Sequence, residues 1–117
     1  MNDRLVIKLI KKHYSFLIKK GFVENASPDI NFCKLIAFVK DKKAIVFCND
    51  VRDRLLEVGI YTIIDGKIST HSEDITRLYE LTENAKFDEI YNYDLFPLEH
   101  VISNGAILLE SYLNRIL

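Results

Sequence analysis

Three carboxylates and two tyrosines are concentrated within residues 87–94 of this chain, which read FDEIYNYD. Carboxylates steer and orient a cationic partner, and tyrosine offers a large contact area with a polar tip. The stretch therefore predicts a partner-binding surface, whose candidate residues are Asp88, Glu89, Tyr91, Tyr93 and Asp94. The alternative is a solvated loop or short strand that Phe87, Ile90 and one tyrosine anchor to the core.

The spacing of histidine and cysteine disfavours a metal site or a catalytic constellation. His13, His71 and His100 fall on three different predicted elements, and the sequence has no His-x-x-x-His or Cys-x-x-Cys motif. Cys33 and Cys48 lie in predicted strands, where neither a base nor a helix N-terminus lowers a thiol pKa. We expect no metal and no cofactor. An enzyme, which needs a pocket where a histidine and a carboxylate converge, is the third functional alternative.

Charge is distributed unevenly along the chain. Residues 1–43 contain ten Lys/Arg and four Asp/Glu, whereas residues 44–117 contain six and thirteen. A surface with one sign of charge attracts partners of the other sign, so the acidic part favours a basic protein partner. The lysine-rich part has no arginine cluster and no interleaved aromatic residues, which disfavours nucleic-acid binding.

No apolar run approaches the length of a membrane span, since the longest covers only residues 35–39. The N-terminal residues also lack the pattern of a signal peptide. We expect a cytoplasmic protein without a membrane partner.

Periodicity predicts the helices that must position these residues. An amphipathic helix is expected over residues 3–20, with Gly21 as its C-terminal cap. A short helix is expected from Ser72 to about residue 82, where capping residues precede an apolar side. The apolar stripe over residues 97–116 predicts a long closing helix, within which Gly105 marks a close contact.

Turn signals predict an antiparallel sheet. Residues 31–40 and 43–49 form a hairpin around Asp41 and Lys42, and residues 55–64 and 67–69 form another around Asp65 and Gly66. The first hairpin pairs Phe38 with Ile45, Ile36 with Phe47, Val39 with Ala44, Ala37 with Val46, and Leu35 with Cys48. Gly59 indicates a bulge or a close backbone approach in the third strand.

Both faces of the first hairpin are apolar, so neither can be left broadly in water. One face carries large side chains, and the other carries small ones, namely Leu35, Ala37, Val39, Ala44 and Val46. Helices on both sides explain this pattern, and so does a second subunit on the small face. A structural or regulatory homodimer subunit is thus the second functional alternative, and it predicts that Ala37, Val39 and Val46 are open to solvent in the monomer.

With 117 residues, of which 49% are hydrophobic, the chain has the usual size of one domain with its own core. We predict a single domain over residues 1–117 with an α+β fold. Its antiparallel meander has three or four strands, or five if residues 22–24 add one. An N-terminal helix, a short helix and a long C-terminal helix pack on the sheet.

The order of these elements, with a lysine-rich first helix ending in Lys20-Gly21-Phe22, resembles small bacterial immunity proteins of toxin systems. The resemblance covers most of the chain as a pattern of elements and carries over no residue role. It implies a cytoplasmic protein that neutralises a cognate toxin, often a basic nuclease, by covering its active site. We therefore predict a non-catalytic protein-binding module, in its most concrete form an immunity protein.

Overall fold

The computed structural model describes residues 3–25, 34–81 and 87–116 and has an α+β fold. The α-helices are α1 (Asp3–His13), α2 (Phe16–Lys19), α3 (Phe87–Tyr91) and α4 (Leu98–Ile116). The strands are β1 (Val23–Asn25), β2 (Lys34–Lys40), β3 (Lys43–Asp50), β4 (Leu55–Ile64), β5 (Lys67–Ile68) and β6 (Ile75–Arg77). Single 3₁₀ turns lie on either side of β6, at Ser72–Asp74 and Leu78–Leu81.

The sheet is an antiparallel meander in the order β1-β2-β3-β4-β5, and β6 pairs with β4 beside it. This confirms the predicted architecture. The strand β6 was not predicted, because residues 75–77 lie in the segment expected to be helical. Pairing of β6 with Gly59, Ile60 and Tyr61 of β4 fixes these residues in an extended conformation instead.

The predicted register of the first hairpin is confirmed over residues 36–47. The pairing of Leu35 with Cys48 is wrong, because a register shift between Lys34 and Ile36 places Lys34 opposite Cys48. This irregularity also moves Leu35 from the small face into the main core, where it is buried. The predicted strand start and Cys33 lie outside the described residues.

Both predicted hairpin turns require a positive φ. Asp41 has a φ of 54°, and Asp65 and Gly66 have φ values of 53° and 77°. Two successive positive φ values are those of a type I′ turn, which matches the twist of the flanking strands. The dipeptide Asp65-Gly66 was therefore a reliable signal.

The N-terminal helix is interrupted at Tyr14 and Ser15. In one continuous helix Tyr14 and Phe16 would point in directions about 200° apart. The break lets both rings face the core, with their centroids 5.8 Å apart. Gly21, with a φ of 95°, ends the segment as predicted.

The short helix lies later in the chain than expected. Residues 72–81 form two 3₁₀ turns and β6, and the short helix is α3. The expected end near residue 82 lies outside the described residues. Glu73 and Asp74 do lie in a first turn, but it belongs to a single 3₁₀ turn whose N-cap residue is His71. No side chain caps this turn, so the expected capping box is not formed.

The main core lies between the helices and the face of the sheet that carries the large side chains. Tyr14 packs edge-on against Phe47 with ring centroids 4.7 Å apart, and α4 crosses above them. Gly105 is the predicted close-contact point, because an added Cβ would lie 2.6 Å from the Tyr14 hydroxyl oxygen. None of the described helices combines the length and the apolar character that crossing a bilayer requires.

Candidate functional site

Tyr91 ends α3 and is buried, with 1% of its surface exposed. Its hydroxyl donates a hydrogen bond to the carbonyl oxygen of Val58 at 2.7 Å and accepts one from the backbone N–H of Leu78 at 3.1 Å. Burial raises the pKa of Tyr91 well above its ordinary value. The prediction that Tyr91 contacts a partner is therefore wrong, because this side chain joins α3 to β4 and to the turn after β6.

Tyr93 is also buried, with 5% of its surface exposed. Its hydroxyl donates to Asn49 Oδ1 at 2.7 Å, and its backbone N–H donates to the carbonyl oxygen of Arg54 at 3.1 Å. The Arg54 guanidinium lies 5.4 Å from the ring centroid, and burial raises the pKa of Tyr93. The predicted contact role of Tyr93 is wrong too, since the ring attaches its loop to the loop between β3 and β4.

The three candidate carboxylates remain at or near the surface. Asp88 and Asp94 are exposed and Glu89 is half-buried. Asp88 Oδ1 accepts a hydrogen bond from Asn92 at 3.2 Å, and Asp94 Oδ1 lies 3.1 Å from Arg54 Nε. Sequence reasoning placed acids and tyrosines on one surface, whereas the turn sends the rings inward and the acids outward.

Two loops lie side by side here. One is residues 50–54, from the last residue of β3 to the residue before β4, and the other is residues 92–96 after α3. Besides the contacts of Tyr93 and Asp94, an antiparallel bridge joins Leu55 to Asn92. Asn92 Oδ1 accepts hydrogen bonds from the N–H groups of Asp94 and Leu95, and Asp50 Oδ1 accepts one from the N–H of Asp53. Each loop is therefore fixed both internally and to its neighbour.

Each loop also presents an exposed aliphatic side chain, Val51 at 53% and Leu95 at 63%. Aspartates surround them, and α1 adds one more, because Asn49 Nδ2 donates to Asp3 Oδ1 at 3.3 Å. We call this region the acidic end, and define it by Asp3, Asp50, Asp53, Asp88 and Asp94 together with Val51 and Leu95. The arginines of the region are Arg4, Arg52 and Arg54.

Sequence reasoning missed the contribution of residues 50–53 to this region. Alternating charges in the segment DVRDR were a usable signal, since such a run between two strands indicates an exposed loop. Nothing in the sequence indicated that this loop lies beside residues 92–96, because the contact depends on how α3 returns to the sheet.

One histidine does meet a carboxylate. His13 Nε2 lies 2.7 Å from Glu99 Oε2, and Lys12 Nζ donates to the same oxygen at 2.8 Å. These hydrogen bonds lower the pKa of Glu99, with Lys12 the larger cause. The contact joins the end of α1 to the start of α4 at the surface, which suits a structural ion pair.

His100 has local partners, and His71 lies at the start of a turn. His100 stacks on Phe96 and lies 3.1 Å from the amide of Asn104, while His71 precedes a 3₁₀ turn. Within residues 3–25, 34–81 and 87–116, no group of three or more His, Cys, Asp or Glu side chains could hold a metal ion.

The small face of the sheet is less open than a dimer interface requires. Ala37 and Val46 are 0% and 1% exposed, which contradicts the expectation that they are open to solvent, and only Val39 is partly exposed. The alternating pattern identified the face correctly but could not show how far it is accessible. Helices on both sides are not seen in the described part either, because the second cluster contains only strand residues there.

Comparison with known proteins adds no relative: no protein-family model, no curated protein and no solved structure matches the chain.

Proposed function

We propose that this chain is a non-catalytic protein-binding module that captures a basic partner protein at its acidic end. The observation that carries the proposal is the pair of interlocked loops, each of which presents an exposed aliphatic residue, Val51 or Leu95, among aspartates. Isolated exposed aliphatic residues are ordinary, but apolar contacts with a charged rim are the usual composition of a protein interface.

Rigidity supports the same use of this surface. Ordering a mobile loop on binding opposes association, and a loop already fixed by its own hydrogen bonds avoids much of that cost. The side chains of Tyr93 and Asn92 hold the loops in place from below, so Val51 and Leu95 are presented in a defined geometry.

The charges at this end are complementary to a basic partner, and they determine the orientation in which it docks. Five aspartates lie among three arginines, and Arg54 is already engaged by Asp94. Such a mixed but net negative surface speeds encounter with lysine-rich or arginine-rich surfaces and fixes the orientation of docking. In the most concrete form of the proposal, the partner is a toxin domain whose active site the acidic end covers, and the chain is its immunity protein.

The genes beside the one that encodes this chain supply the test. If one of them encodes a basic toxin domain, its purified product is titrated with this chain in a calorimeter and assayed for toxin activity in parallel. We expect a one-to-one complex and loss of toxin activity. A neighbouring toxin that stays active at saturating concentrations of this chain would contradict the immunity role.

A matched pair of variants tests the surface itself. Val51→Ser with Leu95→Ser is expected to weaken the complex, whereas Ile107→Ser, at an exposed aliphatic residue on the outer face of α4, is expected to leave it unchanged. Equal affinities for the double variant and the wild type would exclude the acidic end as the docking surface.

A further inference from the structure

Lysines collect at the end of the sheet opposite the acidic end. The two ends are joined by β3, which runs from Lys43 to Asp50 and is about 24 Å long at the usual rise of a strand. We call this region the lysine end, and define it by Lys19, Lys20, Lys40, Lys42, Lys43 and Lys67. Among the described residues, its carboxylates are Asp41 and Asp65, one in each hairpin turn.

The register shows that these lysines share one end. Lys40 pairs with Lys43, Lys43 pairs with Thr62, and two residues further along β4 Ile64 pairs with Lys67. The short helix α2, which carries Lys19, packs beside β1 at the same end. The register thus places these lysines together at one end of the strands.

A hollow of about 280 Å³ lies within the lysine end, lined by Phe22, Lys40, Asp41, Lys42 and Lys43. Its walls are mainly carbon, from the Phe22 ring and the lysine stems. Lys40 is held in place, because its ammonium donates to the carbonyl oxygen of Lys20 at 2.5 Å and lies 5.9 Å from the Phe22 ring centroid. By contrast, Lys42 and Lys43 are exposed and form no ion pair with any described carboxylate.

Two exposed aliphatic side chains lie at the same end of the sheet. Ile18 lies on α2 next to Lys19, and Ile64, which pairs with Lys67, precedes the second hairpin turn. Both are among the exposed large hydrophobic residues of the described chain. Lysines and exposed aliphatic side chains therefore occur together at this end.

We propose that the lysine end docks on an anionic lipid bilayer. Lysine ammonium groups are attracted to the negative surface potential of a bilayer that contains acidic lipids, and aliphatic side chains beside them enter the interfacial layer. The hollow gives a lipid headgroup or the start of an acyl chain a carbon-lined recess beside Lys42 and Lys43. The expectation of no membrane partner depended on the lack of a spanning segment, which does not bear on association with a surface.

A nucleic acid fits this surface less well. Single-stranded nucleic acids are held by aromatic side chains that stack on bases, and duplex recognition relies heavily on arginine. The hollow at the lysine end is lined by no arginine, and its one aromatic lining residue, Phe22, is only 3% exposed. Aliphatic residues, which the surface does expose, contribute to lipid binding.

Vesicle sedimentation tests the proposal with the full chain. Vesicles of phosphatidylcholine alone are compared with vesicles that contain about 30% phosphatidylserine, at low and at physiological salt. We expect binding to the anionic vesicles only, and weaker binding as salt increases. Equal sedimentation with both kinds of vesicle, or with neither, would overturn the proposal.

Two double variants and their controls separate the contribution of the lysines to vesicle binding from that of the aliphatic side chains. Lys42→Glu with Lys43→Glu is expected to weaken vesicle binding at least about tenfold, because each lysine contributes separately near the bilayer. The control, Lys8→Glu with Arg52→Glu, makes the same change in net charge at exposed residues outside the lysine end and is expected to bind nearly as well as the wild type. Ile18→Ser with Ile64→Ser should also weaken binding, whereas Ile107→Ser should not.

Circular dichroism on each variant establishes that it is folded. If the control pair loses as much binding as the lysine pair, the effect is one of net charge and the docking surface is refuted. If the chain binds a single-stranded DNA oligonucleotide more tightly than anionic vesicles at the same salt, the ligand of the lysine end is a nucleic acid and the lipid proposal is wrong.

Discussion

The hydroxyl oxygen of Tyr14 lies against the backbone of Gly105, in the middle of α4. A Cβ at position 105 would be 2.6 Å from that oxygen and 3.0 Å from Leu78 Cδ2. This contact joins the break between α1 and α2 to the longest helix of the molecule. It explains why a glycine stands within an otherwise regular apolar stripe.

Replacing Gly105 by alanine is predicted to destabilise the protein. Alanine gains about 1 kcal/mol of helix propensity over glycine, but inserting a methyl group into a packed site costs about 1–3 kcal/mol. We expect a net loss of about 1 kcal/mol, measured by urea denaturation. Ser111→Ala, at an exposed position of the same helix, is the control and should be neutral or slightly stabilising. An alanine variant at least as stable as the wild type would show that Tyr14 moves aside freely.

Two buried tyrosines are predicted to respond oppositely to loss of the hydroxyl. Tyr14 has a buried hydroxyl with no hydrogen-bond partner in the described structure. The Tyr91 hydroxyl, by contrast, forms hydrogen bonds with the carbonyl oxygen of Val58 and the backbone N–H of Leu78. Tyr91→Phe leaves a buried carbonyl and N–H unpaired and should destabilise by about 1–3 kcal/mol. Tyr14→Phe removes an unsatisfied group and should be neutral or stabilising.

Thermal unfolding of these two variants is a matched comparison, because both substitutions remove one oxygen from a buried ring. In addition, Gly105→Ala should be tolerated better in the Tyr14→Phe background. If Tyr14→Phe is as destabilising as Tyr91→Phe, the Tyr14 hydroxyl has a partner in solution.

The contact of Glu99 with Lys12 and His13 predicts a specific pH dependence. The pKa of Glu99 is lowered from its ordinary value of 4.5 in the folded protein. A carboxylate with a depressed folded-state pKa stabilises the fold above its unfolded-state pKa, and this contribution is lost as pH falls through the folded-state pKa. The wild type should therefore be more stable than Glu99→Gln at neutral pH, and the difference should shrink as pH falls below the ordinary range of a glutamate.

Denaturation of both proteins at several pH values measures this difference. Glu110→Gln, at another exposed residue of α4, serves as the control and should follow the wild type. A constant difference between the wild type and Glu99→Gln across the acidic range would mean that the ion pair does not persist in solution.

Charge reversal at the acidic end is predicted to affect binding without affecting stability. Asp53 and Asp88 are exposed, and surface substitutions of this kind rarely shift stability by more than about 0.5 kcal/mol. Asp53→Lys with Asp88→Lys should slow association with the basic partner and reduce its dependence on salt, as measured by surface plasmon resonance. Glu73→Lys with Glu110→Lys makes the same change in net charge at exposed residues outside the acidic end and is the control. An unchanged association rate in the double variant would remove these aspartates from the interface.

Local signals predicted much of the fold. Hairpin register followed from Asp41-Lys42 and Asp65-Gly66, since turn geometry and alternation of side chains act within a few residues. The apolar stripe of α4 and the helix cap at Gly21 were likewise predictable from signals that act within a few residues. The irregularity at Leu35 was not predictable, because an extra residue in a strand is decided by what its side chain can reach in the core.

The candidate site was predicted only in part. Its carboxylates are at or near the surface, but Tyr91 and Tyr93 are buried, since tyrosine serves a core or an interface equally well. In both of these cases the inward-pointing ring finds a hydrogen-bond partner for its hydroxyl. Val58 and Asn49 provide those partners from strands distant in sequence.

The sequence by itself determined the α+β class, the antiparallel meander, the two hairpin turns, with positive φ at Asp65-Gly66 in the second, and the uneven charge along the chain. These properties depend on periodicity, on backbone sterics and on composition, all of which act over short distances. Only the tertiary structure decided that residues 75–77 form a strand, that residues 50–54 and 92–96 meet, and that lysines and aspartates occupy opposite ends of β3. Those outcomes depend on which distant segments pack together, and no local pattern encodes them.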